Sequence, residues 1–273
     1  MKVTTAQRSA GDPDRHLGLS GCPNLRDAGG YATRDGGRLR WRRLFRSGHL
    51  AHLSEAELAA IEDLSLDLVV DLRREDEQRR EPSRLPGNVD VLSAEITPGS
   101  QASAIYSNSR AIDDGEAMFA FMCDINREFV VSQSDRFRAV FAELLEHGAE
   151  RVLFHCSAGK DRTGFSIAML HLALEVPPEA LREDYLLSSR YYDPAVELPR
   201  ARRKYPLDHL EDAHLMPMLR VEDAYLDAAL AAIAELYGSE EEYLGEGLGL
   251  DAAARAELRR RFRQDGDAGP EEA

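Results

Sequence analysis

Cys156 and Arg162 stand at the two ends of one short stretch, Cys156-Ser157-Ala158-Gly159-Lys160-Asp161-Arg162, followed by Thr163 and Gly164. A thiolate is a nucleophile and a metal ligand; a guanidinium is a planar fork that can hold two oxygens of a phosphate. If the stretch is a loop feeding a helix, its backbone N–H groups point at one spot and the helix dipole adds positive charge there. Such a place binds phosphate or a similar anion and favours a thiolate over a thiol. A thiolate facing a phosphate whose oxygens are held by amides and an arginine is poised to attack phosphorus.

The flanking residues predict the elements that would position this pair. Val152, Leu153 and Phe154 form a short apolar run ending at His155, which reads as a buried strand. After Gly164 come Phe165, Ile167, Ala168, Met169, Leu170, Leu172 and Leu174, an apolar helix. The unit is therefore strand, loop, helix. A second buried-strand run, residues 66–71, ends at Asp71. In an open α/β sheet the C-terminal strand ends line the ligand crevice, so parallel strands would bring Asp71 to the edge that carries Cys156.

Around this centre the chain divides into recognisable pieces. Residues 1–20 are expected to be a flexible leader. Asp35-Gly36-Gly37 signals a hairpin between two β-like runs. The second run, residues 38–46, carries five arginines and reads mostly as an edge strand meeting solvent, with Arg46-Ser47-Gly48 the part that could face a site. Ser54 to Glu57 is a capping box opening a helix to about residue 64. A β-like piece follows at 89–92, then a mobile loop at 97–115 rich in Ser, Pro, Gly, Asn and Asp. Helices are expected at 116–131, at 134–146 with Ser134 as N-cap and Gly148 as stop, and from Pro177-Pro178 to about 188. Residues 189–220 read as less regular, with tyrosines, basic residues and proline breaks. Helices at 222–237 and 251–262 and a disordered tail, 265–273, complete the chain.

Composition narrows the classes. The chain has 273 residues and a formal net charge of −15, with a pI near 5.0, which argues against a general nucleic-acid binder. Three widely spaced cysteines, Cys22, Cys123 and Cys156, do not make a disulfide framework, so a reducing, cytoplasmic setting is the default. No apolar run suits a transmembrane helix or a signal peptide, although export without such a signal stays open. His49 with His52, and His209 with His214, lack companions at a metal-site spacing, and no cofactor is called for.

The stretch His155-Cys-Ser-Ala-Gly-Lys-Asp-Arg-Thr-Gly164 resembles the phosphate loop of cysteine-based protein tyrosine phosphatases, and its Gly159-Lys-Asp-Arg162 form resembles the bacterial PtpB-type tyrosine/lipid phosphatases. Asn24-Leu-Arg-Asp27, Leu44-Phe-Arg-Ser-Gly48, Val70-Asp-Leu-Arg73, Asp184-Tyr-Leu-Leu187 and Ala224-Tyr-Leu226 extend the likeness. The resemblance implies an α/β fold, a mostly parallel sheet flanked by helices, in one phosphatase domain over 21–264 with a helical lid at about 189–220. It implies Cys156 as the nucleophile that becomes a phosphocysteine, Arg162 and the amides of Ser157, Ala158, Gly159, Lys160 and Asp161 as the phosphate site, and His155 and Thr163 in support. The family places its general acid at the Asp of the Asp-Leu-Arg motif, here Asp71, with Asp161 as a rival inside the loop. Lys160 either adds charge for a phosphoinositide or points to solvent. The expected substrate is a phosphorylated protein or a phosphoinositide, with inorganic phosphate as product. An inactive phosphate-binding module and a loop-cysteine arsenate reductase or sulfurtransferase are the competing readings.

Overall fold

A computed structural model describes residues 14–97, 112–205 and 207–265. Its strands are β1 Arg26–Asp27, β2 Arg38–Leu39, β3 Leu44–Ser47, β4 Leu68–Asp71, β5 Asp90–Ser93, β6 Val152–His155 and β7 Arg263–Gln264. Five form one sheet in the order β1-β3-β6-β4-β5, in which β3, β6, β4 and β5 run parallel and β1 is antiparallel. β2 and β7 pair separately. Side chains alternate across a strand. Accordingly Leu44, Leu68, Val70, Val152 and Phe154 join one core cluster, while Phe45, Val69 and Leu153 join another on the opposite face. Both faces of β6 are thus covered, which is why its sequence is a continuous apolar run.

The helices are α1 Glu55–Glu62, α2 Glu75–Arg80, α3 Gly115–Val131, α4 Ser134–His147, α5 Asp161–Ala173, α6 Pro178–Leu186, α7 Ser188–Tyr191, α8 Pro194–Lys204, α9 Asp212–Leu219, α10 Asp223–Tyr237, α11 Glu240–Glu242 and α12 Ala252–Phe262, with one π turn at Tyr243–Gly247. α5 is buried from Thr163 to Ala173. Phe165 on it packs against Phe129 of α3 and Phe137 of α4, with ring centroids at 5.5 and 4.8 Å. Burying these three aromatic side chains contributes about 1.5–3 kcal/mol each and fixes α5 behind the sheet.

Register sets the site. Ser47 and Asp71 lie opposite His155 on either side, so β3, β6 and β4 end level and Cys156 emerges between two parallel strand ends. The capping box at Ser54 and the left-handed Gly148 stop, φ 75°, form as expected.

Other expectations change. Ser134 is the first residue of α4 rather than its cap; its Oγ donates to Val130 O and meets Tyr243 Oη. Residues 38–46 are not one edge strand. Arg42 adopts φ 59° and breaks the run, and Arg46 lies in the interior strand β3, fully buried. Residues 189–220 are mostly helical: Asp193 caps α8, Pro194 occupies its first turn where no donor is lost, and two further prolines sit inside α8 and α9. Within the expected leader, Arg15 stacks over Tyr31 and Trp41 and donates to Asp27 O and Gly29 O. Residues 1–13, most of the 97–115 loop and the tail from 266 lie outside the described residues.

Candidate active site

The loop after β6 is shaped by where its carbonyls go. Ser157 O accepts from His49 N–H at 3.1 Å. Asn24 Nδ2 donates to Ala158 O at 3.2 Å and to Gly159 O at 2.9 Å. Arg46 Nη2 donates to Gly159 O at 2.8 Å and approaches Lys160 O at 3.4 Å. In a trans peptide the N–H points opposite to the C=O. Anchoring these carbonyls therefore turns the N–H groups of residues 158–161 away from the anchors, and that of Gly159 donates to Cys156 Sγ at 3.3 Å. Gly159 has φ 69°, and a Cβ there would stand 2.4 Å from the Ser47 carbonyl. Only glycine fits.

The anchors are themselves held by a buried ion cluster. Arg46 Nη1 pairs with Asp184 Oδ2 at 2.6 Å and Arg26 Nε with Asp184 Oδ1 at 3.2 Å, all three side chains being shut off from water. Burial pushes the Asp184 carboxyl up, but Arg26 and then Arg46 outweigh it and hold it far below the usual carboxylate range. Two cations against one anion leave a surplus that the loop carbonyls absorb. The motif residues Asn24, Arg26, Arg46 and Asp184, distant in sequence, thus converge on the outer wall of one loop.

On the inner side Arg162 donates from Nη1 to Glu77 Oε2 at 2.7 Å and from Nη2 to Glu77 Oε1 at 3.2 Å. Lys204 of α8 also pairs with Glu77 and donates to Ser157 Oγ at 2.7 Å. Burial opposes the charge on Glu77, and Arg162 and Lys204 overcome it, so the carboxyl is held far below its ordinary value. Sequence reasoning missed Glu77. It is the last of three acidic residues in the first turn of α2, and nothing in the sequence separates it from Glu75 or Asp76.

The two candidate acids are placed differently. Both Asp71 oxygens are engaged by Arg73, with Nε to Oδ1 at 2.9 Å and Nη2 to Oδ2 at 2.7 Å, and His155 Nε2 lies 3.4 Å from Oδ2. Burial raises the Asp71 carboxyl, yet His155 and Arg73 bring it well below the carboxylate range. Asp161 instead lines the cavity that contains Cys156, and its Oδ1 is buried with no hydrogen-bond partner among the described residues. Thr163 Oγ1 is in the same condition. Lys160 does not point to solvent: it is buried on the cavity wall, where its Nζ donates to Met218 O at 2.6 Å and Arg220 O at 3.0 Å and lies 3.7 Å from Asp161 Oδ2.

Cys156 is 2% exposed. It borders a cavity of about 130 Å³. Asp161, Arg162, Phe121, Met122, Phe129 and Leu219 are among the walls. Arg200 and Lys204 of α8, Met218 of α9 and Tyr192, which caps α7, contribute the side that covers it. Among the described residues no group of three or more His, Cys, Asp or Glu side chains could hold a metal ion. His49 and His52 pack edge to face at 4.9 Å, and His209 Nε2 bonds Ile112 O at 2.9 Å.

A mostly parallel sheet that carries a cysteine and an arginine on one anion-shaped loop is the framework of an α/β phosphatase. The profile of the tyrosine phosphatase family matches residues 17–264, and the chain belongs to that family. A protein of Cupriavidus necator named as a tyrosine-protein phosphatase is 34% identical over 254 residues, covering 92% of this chain and 91% of that one. Triple specificity protein phosphatase PtpB of Mycobacterium tuberculosis is 32% identical over 263 residues, covering 83% and 91%. The solved structure of P. aeruginosa TpbA aligns over 70% of this chain and 89% of that one at 17% identity, with a TM-score of 0.29, a superposition too loose to inform the site. Among the described residues no helix is long and apolar enough to cross a membrane.

Proposed function

We propose that this tyrosine phosphatase hydrolyses phosphotyrosine through a phosphocysteine at Cys156. The thiolate Sγ bonds to phosphorus while the bond to the tyrosyl oxygen breaks. The loop amides and Arg162 hold the three remaining oxygens, where charge develops. Asp161, rather than Asp71, gives its proton to the leaving oxygen. Water then attacks phosphorus, Asp161 takes up its proton, and inorganic phosphate departs with the thiolate restored. Thr163 Oγ1, buried beside the loop, supports the returning thiolate, and His155 fixes the strand end through Asp71.

One observation carries this reading: the carbonyls of Ser157, Ala158 and Gly159 are tied outward, and an inward amide reaches Cys156 Sγ at 3.3 Å. A loop so arranged is an anion cradle around a sulfur. Asp161 is favoured because it lines the cavity with Cys156, whereas both oxygens of Asp71 are committed to Arg73. The apolar walls, Phe121, Met122 and Phe129, suit an aromatic ring above the phosphate. Because Cys156 is covered, residues 189–220 act as a lid that must open for a protein substrate. Three free cysteines, one of them the nucleophile, suit a reducing compartment such as the cytoplasm.

The test is release of phosphate from p-nitrophenyl phosphate and from a phosphotyrosine peptide, inhibited by vanadate and abolished by Cys156→Ser. Phosphate binding without release would favour the inactive module, and thiol-dependent arsenate reduction without phosphatase activity the third reading. The name of the mycobacterial relative speaks for a range wider than one ester class, so phosphoserine, phosphothreonine and phosphoinositide belong in the same assay. Lys160 borders the cavity with its Nζ engaged by two carbonyls, which weakens the charge argument for a phosphoinositide.

A further inference from the structure

The loop's own second cation is already occupied, since Lys160 Nζ is held by Met218 O and Arg220 O. A different one arrives from outside the loop. Lys204, at the end of α8, donates to Ser157 Oγ at 2.7 Å, the residue next to Cys156, and pairs with the same Glu77 carboxylate that receives the Arg162 fork. The two cationic heads therefore meet at one carboxylate, and both residues line the cavity that contains Cys156. This meeting point is shut off from water, Glu77 being only 3% exposed. The neighbouring base on α8, Arg200, is matched differently, by Glu81 with Nε to Oε1 at 3.1 Å and by Glu197 at 3.6 Å. Lys204 is thus the α8 base that reaches the Cys156 loop itself.

We propose that Lys204 is a phosphate-binding residue delivered by the lid, so that the anion site is complete only when α8 sits on the loop. This rests on the phosphatase reading of the Cys156 loop and extends it. A phosphoryl dianion in the cradle meets Arg162 from the loop side and the Lys204 ammonium from the lid side. Anion binding and lid closure then favour each other, because a ligand that gains a contact only in the closed state shifts the equilibrium toward it. The competing role is a plain latch, in which Lys204 only fastens α8 to Glu77 and Ser157. The two roles differ in what phosphate feels. Losing a latch uncovers Cys156 and leaves the cradle's affinity intact or improved; losing a ligand weakens phosphate itself.

The experiment compares the full chain with Lys204→Met and Lys204→Arg, with circular dichroism as a check on folding and Lys204→Gln as a second neutral variant should Met misfold. Inorganic phosphate affinity is measured calorimetrically with Cys156→Ser present in every protein, so that no turnover is needed. Alkylation of Cys156 by iodoacetamide, with and without phosphate, is measured with the cysteine in place. The expected result is phosphate binding weakened about ten-fold or more in Lys204→Met. Phosphate should also lose its protection of Cys156 at concentrations that protect the parent, and Lys204→Arg should recover most of both. Phosphate affinity within about two-fold of the parent, together with faster alkylation, would overturn the proposal in favour of the latch. Lys204-dependent phosphate binding in a chain that hydrolyses no phosphomonoester would sink the phosphatase reading and leave the Lys204 assignment standing. A parent that binds no phosphate would overturn both.

Discussion

Two aspartates near one loop have different surroundings, and the proposed acid role of Asp161 rests on that difference. Asp71 is buried and committed to Arg73 and His155, conditions that keep a carboxylate ionised. Asp161 faces the cavity with one oxygen unpaired. Asp161→Asn is expected to lower kcat on a phosphotyrosine peptide by about 10²–10⁴, less on an aryl phosphate with a better leaving group, and to remove the alkaline limb of the kcat profile. Asp71→Asn should keep that limb and instead lose about 3–5 kcal/mol of stability, because Arg73 would be left buried without its carboxylate; urea titration reads this directly. Cys156 and Arg162 were legible because their spacing and flanks are local. The strand-end position of Asp71 was readable, whereas the return of Arg73 onto it depends on a turn the sequence does not announce. Glu77 was invisible for a related reason: its partners, Arg162 and Lys204, come from distant segments.

At the scale of elements, the cradle is the loop between β6 and α5, held from outside by β1 and β3. Its most sensitive position is Gly159. Gly159→Ala would add a Cβ 2.4 Å from the Ser47 carbonyl at φ 69°. The expected outcome is a strand end pushed off register, activity lost, and a destabilisation of about 1–3 kcal/mol from the strained backbone alone, measured by phosphatase assay and thermal melt. Arg46 shows what pattern reading can and cannot deliver here. Among five arginines in nine residues its strand end was the part that could face a site, yet the pattern did not place it on an interior strand, where Asp184 of α6 neutralises it. Caps and stops such as Ser54 and Gly148 were readable because each is settled within one turn. The helices of 189–220, implied by the family resemblance, were not legible in the residue pattern, because Pro194 starts one helix and Pro199 and Pro217 lie inside helices where a proline reads as a break.

Across the whole molecule, one carboxylate ties the first strand, the third strand and the sixth helix behind the loop. The folded pKa of Asp184 lies far below that of the unfolded chain, about 3.9, so its stabilisation is complete above that value and is lost as pH falls through and below it. His49 acts in the same sense: burial, then Arg200, lowers it to about 3, so it is neutral when folded and gains a proton on unfolding below about 6.5. Stability should therefore decline on acidification below about pH 6.5, first through His49 and then through Asp184. Asp184→Asn should flatten the steeper acid part and cost about 3–5 kcal/mol at neutral pH, by leaving Arg26 and Arg46 buried together without their anion. Chemical denaturation at a series of pH values checks both. The buried strands ending at Asp71 and His155 were readable from their apolar runs; the sheet order and the packing of α8 and α9 above the loop emerged only with the structure.

The most direct measurement is rapid acid quench of the enzyme turning over a radiolabelled phosphotyrosine peptide, followed by peptide mapping. The expected result is a phosphoryl group on the peptide containing Cys156, absent in Cys156→Ser and accumulating in a burst ahead of steady-state release. Steady turnover with no covalent phosphoprotein and with full activity in Cys156→Ser would contradict nucleophilic attack by this cysteine.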